Sequence, residues 1–161
     1  MLNEFTQGHT FLCVKAGLTG ISGAATTFST GATTLQYAVL GKAATKATVT
    51  AGASPTTDAV TGNAITLVPN KGMVVVWCLD LPGNVKVVAG PAADLDSAGN
   101  FKVYPQFPGV PDTLCPFAYH VIKAGSTTVG TWTFGSSNWN ATGLSHTVVD
   151  VLVQPARPQI S

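Results

Sequence analysis

Three histidines and three cysteines are the side chains of this 161-residue chain best suited to hold a metal ion. The nearest approaches to a ligand pair are His9-x-x-x-Cys13 and Cys115-x-x-x-x-His120. On a strand, residues four apart share a face and residues five apart do not, so only the first pair could chelate directly. No C-x-x-C and no histidine pair at ligand spacing accompanies them. Ser145, His146 and Asp150 supply the residue types of a nucleophilic triad. Neighbours on a strand point to opposite faces, however, so Ser145 cannot reach His146 directly, and no G-x-S-x-G elbow exists. The run Asp94-Leu95-Asp96-Ser97-Ala98-Gly99-Asn100 begins like a calcium loop, but Ala98 and Pro105 stand at the fifth and twelfth positions, where the loop needs ligands. A turn is the simpler reading. The seven acids (Glu4, Asp58, Asp80, Asp94, Asp96, Asp112 and Asp150) fall mostly in apparent turns and suggest no catalytic pair. No glycine loop leads into a helix with a Lys-Ser/Thr tail, so nucleotide phosphates have no cradle. The expectation is a chain with no catalytic residue, no metal and no cofactor, hence not an enzyme.

Binding is left to the aromatic residues. Trp77 lies in a fully apolar run and reads as core, and Trp132 and Phe134 share a face by their spacing of two. Trp139 sits in the Gly/Ser/Asn-rich loop Gly135–Gly143. Packing under its own loop, an exposed protein contact, and a sugar-stacking platform together with Tyr104 are the three readings open for it. As a candidate interface we take Trp139 with its neighbour Asn138, Phe107 and Pro108 from the proline-rich stretch, and Arg157 near the C-terminus.

Short β-branched or alternating runs closed by Gly, Pro, Asn or Ser clusters must position these residues. The pattern predicts strands at Thr10–Ala16, Thr33–Leu40, Lys46–Ala51, Ala64–Pro69, Gly72–Asp80, Asn84–Ala89, Asn100–Tyr104, Phe117–Lys123, Gly130–Phe134 and Ser145–Val153. The clearest hairpin joins VVVWCLDL to VKVVAG through Pro82-Gly83-Asn84. The stretches Ala92–Asn100 and Pro105–Pro111 read as surface loops or an extended arm, and Gly41–Lys46 is the one helix-like stretch. The predicted fold class is all-β: a single antiparallel β-sandwich domain over residues 1–161, with eight to ten short strands and the jelly roll as one form it could take. Residues 1–8 and 154–161 are expected to be terminal arms, one of which reaches a neighbouring subunit.

Charged residues make up only 9% of the chain, hydrophobic residues 45%, and the net charge is +1. A surface of Thr, Ser, Gly, Ala and Asn lacks the self-repulsion and side-chain entropy that keep proteins apart, which points to an interaction protein. Dispersed lysines give no basic stripe for nucleic acid. Met73–Trp77, the longest apolar run, is too short to cross a membrane as a helix, and the N-terminus carries an acid where a signal peptide carries basic residues. Cys13, Cys78 and Cys115 are expected to be buried thiols in a reducing compartment.

The segment CPFAYHVIKAGSTTVGTWTFGSSNWNATGLSHTVVDV, with VVWCLDLPGNVKVVAGPA and AGNFKVYPQFP upstream, resembles small structural proteins of tailed bacteriophages over about Gly72–Val153. That resemblance implies a head decoration, cement or head-fibre protein, assembled into the virion in the host cytoplasm and placed on the outer surface of the head. It implies the major capsid protein and further copies of the chain, as dimer or trimer, as partners, and it carries over no catalytic residue. Another virion component (tail, baseplate or fibre) and a carbohydrate-binding module are the alternative readings.

Overall fold

The computed structural model describes residues 10–23, 26–152 and 155–160. A nine-residue strand forms where the β-branched run is densest: β7, Lys71–Leu79. Met73, Val75, Trp77 and Leu79 point into one apolar cluster, and Val74, Val76 and Cys78 into a second on the opposite face. Burial on both faces explains why this segment is continuously apolar rather than alternating. Antiparallel to it run β10 (Cys115–Ala124) and β8 (Val85–Ala89), with β12 (Leu144–Asp150) outside β10. The short β9 (Ala93–Asp94) completes this five-stranded sheet by pairing with the start of β7.

The larger cluster fills the space between this sheet and the smaller ones. A three-stranded sheet, β1 (Phe11–Leu12), β3 (Leu35–Val39) and β4 (Lys42–Lys46), contributes Leu12, Leu35, Tyr37 and Val39. The two-residue strands β2 (Thr27–Phe28), β5 (Gly52–Ala53), β6 (Thr66–Leu67) and β11 (Trp132–Thr133) pair as β2 with β5 and β6 with β11. Trp77 lies at the centre, with ring centroids of Phe28, Phe134 and Phe117 at 5.2, 5.4 and 6.4 Å. The fold is all-β, antiparallel in every strand pair, with no helix among the described residues.

The second face of the large sheet is covered by irregular chain rather than by strands. Residues 101–114 form a strap whose Phe101, Phe107, Val110 and Leu114 pack on Val74, Val76, Tyr119 and Val121, and Ile160 joins them from the C-terminal tail. The predicted strand Asn100–Tyr104 is therefore corrected: only Phe101 bridges, to Leu95. The adjoining stretch read as a loop contains β9.

The β7–β8 hairpin forms as the sequence indicates. Gly83 takes φ +88°, Asp80 Oδ1 accepts the Asn84 N–H at 2.7 Å, and the Tyr37 hydroxyl donates to the Asp80 carbonyl at 2.7 Å, pinning the turn to β3. A second hairpin replaces the helix-like stretch, and the predicted strand Lys46–Ala51 lies instead at Lys42–Lys46. Leu40 and Gly41 both adopt positive φ, 50° and 74°, and Val39 pairs with Lys42. That geometry is a two-residue primed turn, usually written Asn-Gly or Asp-Gly, here with a leucine in the first place.

A loop carboxylate ties these layers together. Asp58 accepts the N–H of Val60 at 2.9 Å and of Thr61 at 2.7 Å on Oδ1, and of Ala89 in β8 at 2.7 Å on Oδ2. Burial pushes its carboxyl up, but the three N–H groups outweigh it and hold the group below its ordinary value. Asp58→Ala leaves those donors unpaired and should lower stability by about 3 kcal/mol in urea unfolding. Because the folded carboxyl titrates lower than the unfolded one, this contribution is full above about pH 4 and is lost as pH falls through the folded value. The difference between wild type and Asp58→Ala should accordingly shrink below about pH 4.

Candidate functional site

Two of the singled-out regions come together and one is drawn inward. Phe107 and Pro108 on the strap and Arg157 on the tail lie on the same side of the molecule, where Tyr104, Pro105, Gln106, Phe107, Ala156, Arg157 and Pro158 line a groove of about 410 Å³. Trp139 does not join them: it is 1% exposed, packed edge-on against Phe134 and tilted against Trp132 and His120, at centroid distances of 5.2, 5.3 and 5.0 Å. As an interface residue it is corrected, and packing under its own loop is what the structure shows. The loop folds over it because Ser137 N–H bonds to Thr133 O at 2.8 Å and Trp132 Nε1 donates to Asn138 O at 3.0 Å. Asn138 itself remains exposed, whereas Pro108 is buried under the strap and Phe107 half-buried, edge-on to Tyr119 at 5.0 Å.

Gly135 permits this loop. It has φ +70°, and a Cβ there would lie 2.4 Å from the Pro55 carbonyl oxygen. Gly135→Ala should cost about 3 kcal/mol, while Gly130→Ala, at φ +68° with open space around it, should cost only about 1 kcal/mol. Thermal unfolding of the two variants side by side separates backbone strain from the clash.

The strap-and-tail groove is aromatic on one wall and proline-lined on the other. The tail, residues 155–160, supplies the second wall without forming a strand. Tyr104 donates its hydroxyl to the Pro158 carbonyl, Gln159 N–H donates to the Tyr119 hydroxyl at 2.7 Å, and the Arg157 guanidinium stands over the Tyr104 ring at 5.9 Å. Pro158 is buried and Ile160 packs on the second cluster. Of the two arms, one of which is expected to reach a neighbour, the C-terminal one folds, over its described residues, onto its own body; the N-terminal arm 1–8 lies outside the described residues. Tyr119 and Pro158 were missed as site residues, although strict alternation from the core-facing Ile122 already places Tyr119 on the opposite face.

The residues with chemical potential sit as follows. Leu144 and Val148 of β12 face the larger cluster and Val149 the smaller, so His146 and Ser145 project to opposite sides of the sheet. Asp150 Oδ1 accepts the Leu18 N–H at 3.0 Å. His146 instead meets His120, centroid to centroid 4.9 Å. His120 is fully buried, and neither ring nitrogen has a hydrogen-bond partner among the described residues. Burial, and then the neighbouring His146, hold its pKa well below the ordinary histidine value; burial also lowers His146, against a hydrogen bond to the Trp139 backbone.

A β-bulge between Pro116 and Ala118 alters one spacing argument. Phe117 and Ala118 both face the larger cluster, so the bulge puts Cys115 and His120 on one face although they are five apart. No group of three or more His, Cys, Asp or Glu is placed to hold a metal among the described residues. Asp96 Oδ1 takes the N–H groups of Ala98 and Asn100 at 2.9 and 2.8 Å, and Asp94 pairs with Lys71 at 2.5 Å, so the calcium-like run is a turn. Cys78 and Cys115 are buried, and burial raises both thiols, Cys115 to about 11. Cys13 is exposed, which corrects the expectation of three buried thiols. β1 ends at Leu12, the residue that faces the core, and Cys13 turns outward.

The chain matches no protein-family model, no curated protein and no solved structure.

Proposed function

We propose that this chain is an accessory structural protein of a virus particle, a phage-type decoration or cement protein that binds the outside of the head and bridges neighbouring capsid subunits. The observation that carries the reading is the surface. It is poor in charge, with 9% charged residues over the chain and a single ion pair, Lys71–Asp94, among the described residues. Apolar side chains stand in solvent on it: Val103 is 71% exposed, Val129 90% and Tyr104 43%. Such a surface associates without large desolvation of ions, and many copies on one shell add modest affinities through avidity. The resemblance of Gly72–Val153 to phage structural proteins supports the same reading. A tail, baseplate or fibre component would use the same surface. The sugar-binding alternative loses its main platform, since a Trp139 that is 1% exposed cannot stack on a glycan.

The test is rebinding. Purified chain is added to shells stripped of it, and bound protein is measured after sedimentation together with the shell's melting temperature. Saturable binding at a fixed ratio to the major capsid protein, with a more heat-resistant shell, is expected. A chain that stays in the supernatant refutes the reading.

A further inference from the structure

We propose that the aromatic strap surface under the tail is a peptide-recognition site for a proline-containing segment, occupied here by the chain's own tail and able to take the same tail from a second copy. The choice of a second copy as donor rests on the assembly reading above; the groove's chemistry does not. Three features identify a ligand site rather than incidental packing. The surface that meets the tail is aromatic: Tyr104 and Tyr119 each bond to it, and Phe107 stands edge to face with Tyr119. Two tyrosine hydroxyls meet consecutive backbone groups of the tail, Tyr104 bonding the Pro158 carbonyl and Tyr119 the Gln159 N–H. Between them Pro158 is buried, and Ile160 two residues on sits against the second cluster, while Arg157 covers the open edge of Tyr104.

This is how aromatic-lined grooves read pre-extended proline segments: rings pack on the proline and a hydroxyl bonds the exposed backbone, at little ordering cost. The Tyr119 ring is 2% exposed and its hydroxyl is met by the tail, so the site is built around an occupant. The tail adds no strand to a sheet, so one copy's tail can replace another's without unpairing any ladder. Exchange would link copies through contacts already present in one chain.

The experiment uses the full chain and a fluorescein-labelled peptide of residues 155–161, read by anisotropy. Ile160→Asp weakens the tail in its own groove, and the peptide should bind this variant at least tenfold more tightly than wild type, where the resident tail competes. Adding Tyr119→Phe, or replacing the proline at 158 in the peptide by alanine, should weaken binding at least fivefold. Absence of binding to a folded Ile160→Asp variant at millimolar peptide overturns the proposal. Should that variant fail to fold, a photo-crosslinker at the exposed Gln159 in otherwise wild-type chain is mixed with isotope-labelled wild type. Heavy–light crosslinks to the segment around Phe107 and Tyr119 support exchange, and light–light crosslinks alone refute it. Peptide binding by a chain that does not rebind shells retains the groove and removes the particle reading; shell rebinding without peptide binding does the reverse.

Discussion

Trp139→Ala should lower the stability of the protein by about 3–5 kcal/mol, as truncation of a fully buried tryptophan does. For a domain of this size that is a fall of roughly 6–20 °C in melting temperature. The ring is enclosed by Trp132, Phe134, His120 and His146, the last at 5.7 Å, so its removal leaves a cavity that stiff aromatic neighbours cannot fill. Asn138→Ala, one residue away and exposed, should change stability by less than about 0.5 kcal/mol. An exposed contact residue would give the opposite pattern: a melting temperature unmoved by Trp139→Ala and partner binding lost. Calorimetry of the two variants decides between them.

Acid should destabilise the protein through His120, and His120→Phe should remove much of that sensitivity. His120 is buried beside Trp139, Phe134 and His146 with no hydrogen-bond partner among the described residues for either nitrogen, so the folded state holds it neutral. The titratable group facing it is His146, whose own charging would oppose a charge on His120. The folded pKa is depressed below the unfolded one. Stability from this residue is therefore full above the unfolded value near 6.5 and falls as pH drops below it, by up to about 2 kcal/mol between pH 7 and pH 5. His146 acts in the same direction. Melting temperature followed from pH 7.5 to 5 should fall several degrees further for wild type than for His120→Phe. Equal slopes would show that His120 is not held neutral in the fold.

The sequence signals that worked were local ones. Pro82-Gly83-Asn84 names its own turn, and the valine run of β7 needs no partner to be recognised as strand. The misreadings share a cause: each depended on where distant chain lies. Lys42–Lys46 is alanine-containing and helix-like by itself, and it is a strand because Leu40-Gly41 accepts two positive φ values and β3 offers its edge. Pro105–Pro111 carries prolines that exclude a central strand, which is correct, yet residues 101–114, including the misread strand Asn100–Tyr104, cover the second face of the sheet. A loop rich in Gly, Ser and Asn suggested an exposed Trp139, but its small residues are what let the backbone fold over the ring. Neither strand alone brings His120 to His146, because the pairing of β10 with β12, which sets Ile122 opposite His146, is not written in either of them. Of the candidate interface, Phe107 and Arg157 were legible as proline-flanked side chains; their shared groove, and the Tyr119 hydroxyl that bonds the tail beside it, were not.

The proposed role is that of a particle component acting through its charge-poor surface. The most direct measurement is a cryo-electron microscopy reconstruction of particles purified from the protein's source, with this chain fitted into the map. The account predicts density for the β domain on the outside of the head at defined symmetry positions, contacting major capsid subunits. Particles whose map has no place for the domain would contradict it.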